Sequence, residues 1–429
     1  MSTPTILIKS GRVIDPANGV DRTADVLVAG GKVRQVAPGI RVDADEVIDA
    51  AEKIVCPGLL DIHVHLREPG HEEEETIATG TAAALAGGFT SVACMPNTHP
   101  PLDDATAIEF VYRQAERAGH CNVFPIGTIT KARAGRELAE MGQMVRAGAV
   151  GFSDDGDGVA DTGVCYRAMQ YVSMFDLPLI QHCQDAGLAG KGVMNAGTVA
   201  TRLGLPGMPA MAEELMIQRD LVLAADTGAR YHVAHVSTAG GVELVRQAKA
   251  RGVRVTAEAC PHHLLLTDEA CSGYDPNYKM NPPLRSARDV EALIAGVVDG
   301  TIDCLVSDHA PHSAEEKELE FLYAPFGIIG LETALGLYVQ TLIQPGHLDW
   351  PALVALLTHR PAAIIGRDKG TLSPGADGDV TVIDPDGRWR VRVDALWGKS
   401  RNCPYDGMEL PARAACAIVG GAVKFGPKV

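Results

Sequence analysis

The middle of the chain, from about residue 58 to residue 365, alternates short apolar runs with alanine-rich segments, and this alternation limits the possible folds more than any other feature. The apolar runs have the length of strands, whereas the segments between them have the composition of helices. Eight strand–helix units over roughly 300 residues predict a (β/α)8 TIM barrel of the α/β class. An open doubly wound sheet is the alternative, but no Gly-x-Gly-x-x-Gly opens a helix after a strand. The candidate strands are Leu59–His65, Thr90–Met95, Asn122–Thr128, Gly151–Ser153, Pro178–His182, Arg230–Val236, Arg254–Glu258 and Asp303–Ser307.

Both ends of the chain show a different pattern, in which short strands are separated by Gly, Pro and Asp. The first 57 residues predict a small antiparallel sheet, and the C-terminal end repeats the same style. We therefore predict one small β-sandwich domain built from residues 1–57 and 366–429, with the barrel at 58–365. The runs on which this rests are Ile6–Ile8, Gly11–Pro16, Asp25–Val28, Glu46–Asp49, Asp379–Asp384, Trp389–Val393 and Cys416–Gly421.

Composition excludes several classes of protein. No apolar run approaches the roughly 18 residues that a membrane span needs, and the N-terminus lacks the pattern of a secretory signal. A formal net charge of −16 argues against nucleic acid or an anionic membrane as a partner. The 10 cysteines show no Cys-x-x-Cys spacing, which predicts free thiols and a cytoplasmic location.

Histidine and aspartate side chains collect at the ends of the candidate strands. His63 and His65 lie two residues apart, so on a strand they project from the same face. Other strands end near His182, His235, Asp308 and the pair Asp154-Asp155. In a barrel of this type the C-terminal strand ends meet at one mouth. Imidazoles and carboxylates gathered there predict a site for zinc or a similar divalent metal.

Four histidines and two aspartates are enough ligands for two metals that share a bridging water. We expect His63, His65 and Asp308 to hold one ion, and His182 with His235 to hold the other. A bridging carboxylate must contact both ions; Asp155 is the first choice and Asp154 the alternative, since side-chain direction at a strand end is uncertain. His232 is an odd number of residues from His235 and is expected to face the helices as a structural residue. The acidic run Glu72–Glu75 is interpreted as a solvated helix start.

Several segments together resemble the dihydroorotases, a family within the amidohydrolase superfamily, and in particular the longer bacterial type. The two strongest matches are Asp61–Gly70 and Ser307–His312. Weaker matches follow in the same order along the chain: Cys94–Thr98, Ser153–Gly156, Lys279–Arg285 and Pro325–Gly327. The resemblance implies the metal-dependent, reversible cyclisation of N-carbamoyl-L-aspartate to L-dihydroorotate in pyrimidine (UMP) biosynthesis. It also implies the barrel-plus-sandwich architecture.

The chemistry of such a reaction agrees with these residues. A hydroxide shared by two cations is nucleophilic near neutral pH because metals lower the pKa of bound water. Asp308 would then act as the catalytic group that carries the proton to the ring nitrogen. Arg67, two residues beyond His65, is expected to bind the substrate carboxylate bidentately; an ion pair with Glu68 or with Glu72–Glu75 is the competing interpretation. The resemblance adds further substrate-binding residues: His65, Asn97, Asn281, His312, Phe326 and Gly327.

Other interpretations remain open at this point. A hydantoinase, dihydropyrimidinase or allantoinase is the nearest rival, but many of these bridge their metals with a carboxylated lysine on strand four. Here no lysine lies between Lys131 and Lys191. A non-catalytic homologue that partners aspartate carbamoyltransferase is less favoured, because such a chain would be expected to lose metal ligands. An active enzyme that binds this transferase stays possible.

Three further expectations concern the metal ions, the oligomeric state and a long connecting segment. Two zinc ions per subunit are expected, although one occupied site, or manganese or cobalt, would use the same ligands. A homodimer is expected for the oligomeric state. The stretch Ala310–Gly327 is long for a strand-to-helix connection and is expected to order over bound substrate.

Overall fold

The structure is a computed structural model that describes residues 4–426 of the 429-residue chain. Among these described residues, no helix has the length and apolar character needed to cross a membrane. All ten cysteines are free and buried, as predicted.

The strands of the described chain are numbered in chain order. They are β1 (Ile6–Asp15), β2 (Val20–Ala29), β3 (Lys32–Ala37), β4 (Glu46–Asp49), β5 (Ile54–Pro57), β6 (Leu59–Val64), β7 (Phe89–Cys94), β8 (Asn122–Pro125), β9 (Pro178–Gln181), β10 (Met194–Asn195), β11 (Gly207–Met208), β12 (Arg230–Val233), β13 (Val255–Ala259), β14 (Cys304–Leu305), β15 (Val380–Arg390), β16 (Glu409–Val419) and β17 (Ala422–Phe425).

The α-helices are numbered in the same way. They are α1 (Ile77–Ala86), α2 (Ala105–Ala118), α3 (Met141–Ala147), α4 (Thr162–Ser173), α5 (Ala186–Ala189), α6 (Thr198–Leu203), α7 (Met211–Thr227), α8 (Ala239–Ala250), α9 (Pro261–Leu265), α10 (Ala287–Val298), α11 (Ala314–Lys317), α12 (Ala334–Tyr338), α13 (Trp350–Leu356) and α14 (His359–Ile364). A π-helical turn, Val339–Ile343, continues α12.

The predicted (β/α)8 barrel is confirmed. Strands β6, β7 and β8 form one parallel sheet, and β9, β12, β13 and β14 form another. Phe152 forms parallel bridges with Gly127, just after β8, and with Leu179 of β9, so its segment is the fourth of the eight parallel segments of the barrel. A parallel bridge between Val64 and His309 closes the ring. Side chains such as Ile62 and Val306 fill the interior. The reactive groups are therefore confined to the open end of the strands.

Helices form where the sequence supplies both an apolar face and end signals. The α2 segment is an example, because Asp104 accepts a hydrogen bond from the Ala107 N–H at the start and Gly119 ends the helix in a left-handed conformation. Ile108 and Val111 on its inner face are buried.

The strands from the two chain ends form one eight-stranded hydrogen-bonded sheet in the order β17-β16-β15-β5-β1-β2-β3, with β4 also paired to β1. The sheet folds back on itself at Gly378, before β15. The Gly378 N–H donates to the Gly31 carbonyl in the β2–β3 turn, and the Gly378 carbonyl accepts from the Gly421 N–H in the β16–β17 turn. Side chains from both halves, including Val26 and Val382, share one core. Both chain ends thus contribute to this sandwich.

Two details differ from the prediction for the N-terminal end. The runs Ile6–Ile8 and Gly11–Pro16 belong mainly to the single strand β1, which continues through an irregularity between Ile8 and Gly11. The sheet is also mixed and not purely antiparallel, because β1 pairs in parallel with β4 and β5. Composition cannot distinguish these pairings because the alternation of side chains is the same in both. We propose residues 57/58 and 365/366 as the limits of the two units.

Candidate active site

Six of the predicted site residues converge at the open end of the barrel. Each follows or ends a different strand, apart from two that share β6, and each is at most 5% exposed. Their backbone is irregular in places, since His235 (φ 29°) and Asp308 (φ 45°) adopt left-handed conformations just beyond β12 and β14. The six residues are His63, His65, Asp155, His182, His235 and Asp308.

His63, His65 and Asp308 form the first half of this group. The Nε2 atoms of His63 and His65 lie 3.5 Å and 3.1 Å from Oδ1 of Asp308. Each imidazole donates its other N–H to a carboxylate or amide: His63 Nδ1 to Glu258 and His65 Nδ1 to Asn97 Oδ1 at 2.8 Å. Both Nε2 lone pairs are thereby left facing the centre of the site.

His182 and His235 form the second half, and Asp155 lies between the halves. His182 Nδ1 and His235 Nε2 are 2.9 Å apart, and Oδ1 of Asp155 is 3.8 Å and 3.6 Å from them. The same oxygen is 3.5 Å from His63 Nε2. One carboxylate therefore faces both pairs of imidazoles.

The side chains of the adjacent residues Asp154 and Asp155 point in different directions. Asp154 points away from the cavity: its carboxylate accepts hydrogen bonds from the Ile129 N–H and from the Thr130 N–H and hydroxyl. Asp155 alone of the two faces the imidazoles.

The donor set fits bound divalent cations. His63 Nε2 and Asp155 Oδ1 are buried without a hydrogen-bond partner among the described residues, which is costly unless another group satisfies them. Burial alone would raise the pKa values of Asp155 and Asp308, but the neighbouring imidazoles, chiefly His63, hold both below their ordinary range. Burial lowers the pKa of His182 to about 4, which favours the neutral form that metals require. The pKa of His63 is raised in spite of its burial, chiefly by the carboxylate of Glu258, so a cation bound there would take the place of a proton. Anionic carboxylates and neutral imidazoles are suitable ligands for zinc.

Glu258 is an important residue that the sequence interpretation missed. This buried carboxylate on β13 lies 2.5 Å from His63 Nδ1 and accepts hydrogen bonds from His232 Nε2 at 3.0 Å and the His235 N–H at 3.1 Å. It therefore orients residues from both halves of the site. The sequence does carry a signal for it, because Glu258 is an acid at the end of the predicted strand Arg254–Glu258.

The interpretation of His232 was wrong in its direction. His232 is fully buried and faces the barrel interior, where it contacts Glu258 and Thr256. The parity argument failed because β12 ends at Val233 and the left-handed backbone of His235 breaks the two-residue alternation.

Arg67 forms the opposite wall of the cavity. Its Nε donates to the Pro311 carbonyl at 3.0 Å and lies 2.8 Å from Oε2 of Glu74. Arg67 lines the cavity, and the ion pair with the Glu72–Glu75 run that was the competing interpretation is present through Glu74. Binding of a substrate carboxylate stays a prediction. The interpretation of that run as solvated was wrong for Glu74 and Glu75, which are 6% and 0% exposed.

The other predicted substrate-binding residues, except Gly327, line the same cavity, which has a volume of about 310 Å³. Asn97 holds His65 through Oδ1, and its Nδ2 makes no hydrogen bond with the described residues. His312 Nε2 donates to the Phe326 carbonyl at 2.8 Å and lies 3.3 Å from Arg67 Nη2. The Asn281 amide lies 3.2 Å from His182 Nε2.

Gly327 does not line the cavity. Its N–H donates to the Lys279 carbonyl, and its own carbonyl accepts hydrogen bonds from Lys317 Nζ and Asn402 Nδ2. A side chain at this position would meet the Ala310 carbonyl oxygen at 2.5 Å, and φ is 157°. The structure thus gives Gly327 a role in chain packing.

A segment near the C-terminus, residues 397–402, supports the Arg67 wall. The Ser400 hydroxyl donates to the Glu74 carbonyl at 2.6 Å, and the Lys399 N–H donates to Glu75. Asn402 Nδ2 donates to the carbonyls of Ala310 and Gly327, and its Oδ1 accepts from the His312 N–H at 3.1 Å. No sequence signal had connected this segment with the site.

Comparisons with known proteins relate the whole chain to one family. The family model described as Dihydro-orotase-like matches residues 52–240. A protein named Dihydroorotase from Pelotomaculum thermopropionicum is 52% identical over 424 residues, which cover 99% of this chain and 99% of that one. Another Dihydroorotase, from Geobacter sp., is 50% identical over 421 residues, or 98% of this chain and 99% of that one.

Solved structures similar to this one carry a different name. The L-Hydantoinase (Dihydropyrimidinase) from Arthrobacter aurescens superposes with a TM-score of 0.88 at 28% identity and covers 100% of this chain and 98% of that one. A D-Hydantoinase (Dihydropyrimidinase) from Thermus sp. has a TM-score of 0.83 at 25% identity, with coverage of 98% and 95%. The shared architecture is that of the barrel amidohydrolases.

Proposed function

The chain belongs to the dihydroorotase family, and from this premise we propose that its barrel-mouth cavity catalyses the metal-dependent, reversible interconversion of L-dihydroorotate and N-carbamoyl-L-aspartate. The observation that carries the proposal is the pairing of two walls in one cavity. One wall presents three imidazoles and two carboxylates, with the fully buried His63 in contact with both carboxylates, and the other wall presents Arg67. A cyclic amide that carries a carboxylate needs both.

We assign His63, His65 and Asp308 to one divalent cation and His182 and His235 to a second, with Asp155 shared between them. Zinc at two sites per chain is the proposed occupancy. Bound cations of this kind supply an acidified water and polarise a carbonyl oxygen. Asp308 is the only carboxylate in the group that also contacts both His63 and His65 within 3.5 Å.

Asp308 is the proposed proton carrier. In the hydrolytic direction a water oxygen bonds to the ring amide carbon, the carbon–nitrogen bond breaks, and Asp308 moves the water proton to the departing nitrogen. In the synthetic direction the ureido nitrogen attacks the carbon of the protonated carboxyl group, and Asp308 takes the nitrogen's proton and gives it to the departing hydroxyl. The carbon–oxygen bond breaks, water leaves, and Asp308 is ionised again. The lowered pKa of Asp308 favours the ionised form that accepts a proton in both directions.

Arg67 is proposed to bind the substrate carboxylate together with Asn97 and His312. Glu74 and the Pro311 carbonyl occupy Arg67 Nε, so the terminal guanidinium nitrogens remain for an anion. Asn97 Nδ2 offers a second donor. Asn281 and the Phe326 backbone are proposed to contact the ring, whereas Gly327 acts by shaping that segment.

The likeness to hydantoinases supports a second candidate, the hydrolysis of cyclic amides without a carboxylate. Two observations weigh against it. Asp155 occupies the position between the two pairs of imidazoles, and no lysine lies between Lys131 and Lys191 to take that role. Arg67 would also have no anionic partner on such a substrate.

Metal analysis combined with parallel assays tests the proposal. We expect zinc in the purified protein, loss of activity on chelation, recovery on adding zinc, and faster hydrolysis of dihydroorotate than of hydantoin or allantoin. Full activity in a metal-free preparation would contradict the mechanism. Preferred hydrolysis of hydantoin or dihydrouracil would instead assign the chain to the second candidate.

Further parts of the proposal concern the setting of the enzyme. We place it in pyrimidine synthesis in the cytoplasm and propose a homodimer that can associate with aspartate carbamoyltransferase. Sedimentation of the purified chain, alone and with that transferase, tests both associations. We also propose that residues 310–327 order over substrate, which limited proteolysis with and without dihydroorotate tests.

A further inference from the structure

A second cavity lies outside the active site, where the barrel meets the sandwich. This junction cavity has a volume of about 250 Å³ and is bounded by the start of α12 on the barrel side and by β15–β17 on the sandwich side. Aromatic side chains of Trp389, Trp397 and Phe425 line it, and the rings of Trp397 and Phe425 pack edge to face at 5.7 Å. Trp397 is nevertheless 58% exposed, which is unusual for so large an apolar side chain.

Three arginines also line the junction cavity: Arg390, Arg392 and Arg413. All three are exposed, and none makes an ion pair or a side-chain hydrogen bond with another residue of the described chain. The three guanidinium groups bring positive charge to one cavity of a chain whose net charge is −16. Guanidinium groups beside aromatic rings bind planar anions through charge and stacking together.

One acidic side chain, Glu332, also lines the cavity. Its Oε1 already accepts hydrogen bonds from the Trp397 N–H at 2.8 Å and the Gly398 N–H at 3.1 Å. Burial raises the pKa of Glu332 to about 7, so its negative charge is partly suppressed near neutral pH. The cavity therefore keeps a net positive character.

Glu332 also connects this cavity with the active site. The 397–402 segment is hydrogen-bonded to Glu332 at its beginning and to Glu74, Glu75 and His312 along the rest of its length. Glu74 pairs with Arg67, and Oε2 of Glu75 lies 3.4 Å from Nε2 of His309, the residue after Asp308. A group that contacts Trp397 would thus act on a segment that supports the substrate wall.

We propose that the junction cavity is a regulatory binding site for a small planar aromatic anion, and that binding there changes the active site's affinity for substrate through the 397–402 segment. The aromatic side chains would stack on a planar ligand, and the three arginines would pair with its negative charge. The volume of the cavity limits the ligand to one or two fused rings with a single anionic group.

Calorimetric titration of the metal-loaded enzyme with naphthalene-2-sulfonate tests the binding step. We expect one probe per chain, with affinity about tenfold higher than for neutral naphthalene-2-methanol or for inorganic sulfate. Arg413→Gln and Arg390→Gln should each weaken binding about tenfold. Arg388→Gln is the matched control, because Arg388 is an exposed arginine of the same strand that pairs with Glu409 and does not line the cavity.

Three outcomes would overturn the binding proposal. These are absence of binding, equal weakening by the Arg388→Gln control, and loss of binding in Arg67→Lys, which would move the probe to the active site. If a second copy of the chain covers the cavity, the probe will not bind, and this result would also overturn the proposal. The binding result stands apart from the proposed function, since it does not depend on the identity of the substrate.

The coupling step has its own readout. The probe should lower the KM for dihydroorotate about fivefold because it orders Trp397 and the segment that follows. Because coupling between two binding sites is reciprocal, a saturating, equilibrated mixture of dihydroorotate and carbamoyl aspartate should also raise the probe's affinity. Ser400→Ala, which removes the hydrogen bond to Glu74 and keeps those of Lys399 and Asn402, should leave probe binding unchanged and reduce the coupling. An unchanged or raised KM in the parent enzyme would contradict this step.

Discussion

The two walls of the active-site cavity are built in different ways. The proposed metal-binding wall consists of side chains at or just beyond the ends of parallel strands: His63, His65, Asp155, His182, His235 and Asp308. Buried carboxylates hydrogen-bond to these groups and their neighbours. Glu258 contacts His63, His232 and the His235 backbone, while Asp61 accepts hydrogen bonds from the N–H groups of His63 and Ser307. These two carboxylates lie on β13 and β6, and they hold the backbone of His235 and Ser307, which lie just beyond the ends of β12 and β14.

The substrate wall consists of loops that are held by contacts from distant parts of the chain. The 397–402 segment supports Glu74, Ala310 and His312. Two buried ammonium groups hold the loop before Gly327: Lys279 Nζ donates to two carbonyls, those of Leu322 and Ala324, and Lys317 Nζ donates to those of Pro325 and Gly327. The metal-binding wall is therefore expected to be rigid and the substrate wall to be more mobile. Mutations in the first should change turnover or metal affinity, and mutations in the second should change substrate binding.

The largest effect is expected for Asp308→Asn on the metal wall. An amide cannot carry the proton, so kcat per bound metal should fall by about 10²–10⁴-fold. Asp303→Asn is the control, because Asp303 precedes the same strand at its opposite end and pairs with Lys249. Metal analysis together with steady-state kinetics checks the result. Near-normal turnover per metal in Asp308→Asn would assign proton transfer to another group.

Arg67→Lys should affect the substrate wall alone. The charge is kept but the planar fork is lost, so kcat/KM for dihydroorotate should fall by about 10²-fold with unchanged metal content. Dihydrouracil, which lacks the carboxylate, should be a poor substrate for the parent enzyme and indifferent to the change. If dihydrouracil is the better substrate and the variant hydrolyses dihydroorotate normally, the dihydropyrimidinase assignment is correct.

Glu258→Gln should weaken the metal wall without changing the substrate wall. Loss of the carboxylate that orients His63 should lower metal affinity about 10–100-fold, with little change in KM at saturating metal. Competition with a chromophoric chelator measures this. Glu213→Gln serves as the control, because Glu213 is a buried carboxylate bonded to Ser237 and Thr238 and touches no proposed ligand. Equal losses in both variants would indicate a general loss of stability.

Asn402→Ala should have the converse effect. Removing its hydrogen bonds to Ala310, Gly327 and His312 should raise KM about tenfold while metal affinity stays unchanged, since about 1.4 kcal/mol of positioning is lost. Asn195→Ala, a change to another buried asparagine that bonds Asp268 and Arg285, provides a matched control. A fall in metal affinity in Asn402→Ala would show that the two walls are not independent.

The smallest effect concerns the pH dependence of stability. Burial lowers the pKa of Lys317 from 10.5 to about 7, so between these values the unfolded chain binds more protons than the folded chain. This group therefore makes the free energy of unfolding rise with pH from about 7 to 10.5, with no further dependence below 7. Relative to Lys317→Met, the parent should show an extra slope of up to about 1 kcal/mol per pH unit in urea unfolding. If the free energy of unfolding has the same pH slope in the parent and in Lys317→Met, the Lys317 ammonium is more solvated than the structure indicates.

The sequence was most informative where a periodic backbone decides the position of a side chain. His63 and His65 project together because they are two residues apart at the end of β6, and the α2 helix begins and ends at residues whose capping chemistry is local. The same reasoning failed where the backbone left its regular path. His232 was given the wrong direction because His235 lies beyond the end of β12.

Buried acids were the main omission on both walls. Glu74 and Glu75 look like part of a solvated acidic run, yet they contact Arg67 and His309. Their burial depends on the 397–402 segment, which lies more than 300 residues away in the sequence. No local pattern predicts a contact over that separation.

The sequence by itself determined the barrel, the strand ends that carry the histidines and aspartates, and the family to which the chain belongs. These follow from local periodicity and from motifs in fixed order along the chain. Only the tertiary structure decided that Asp155 and not Asp154 faces the imidazoles, that Glu258 braces both halves, and that a C-terminal segment supports the substrate wall. The physical reason is that burial and hydrogen bonding are satisfied among groups distant in sequence, and the left-handed backbone of Arg67, His235 and Asp308 persists only where such contacts hold it.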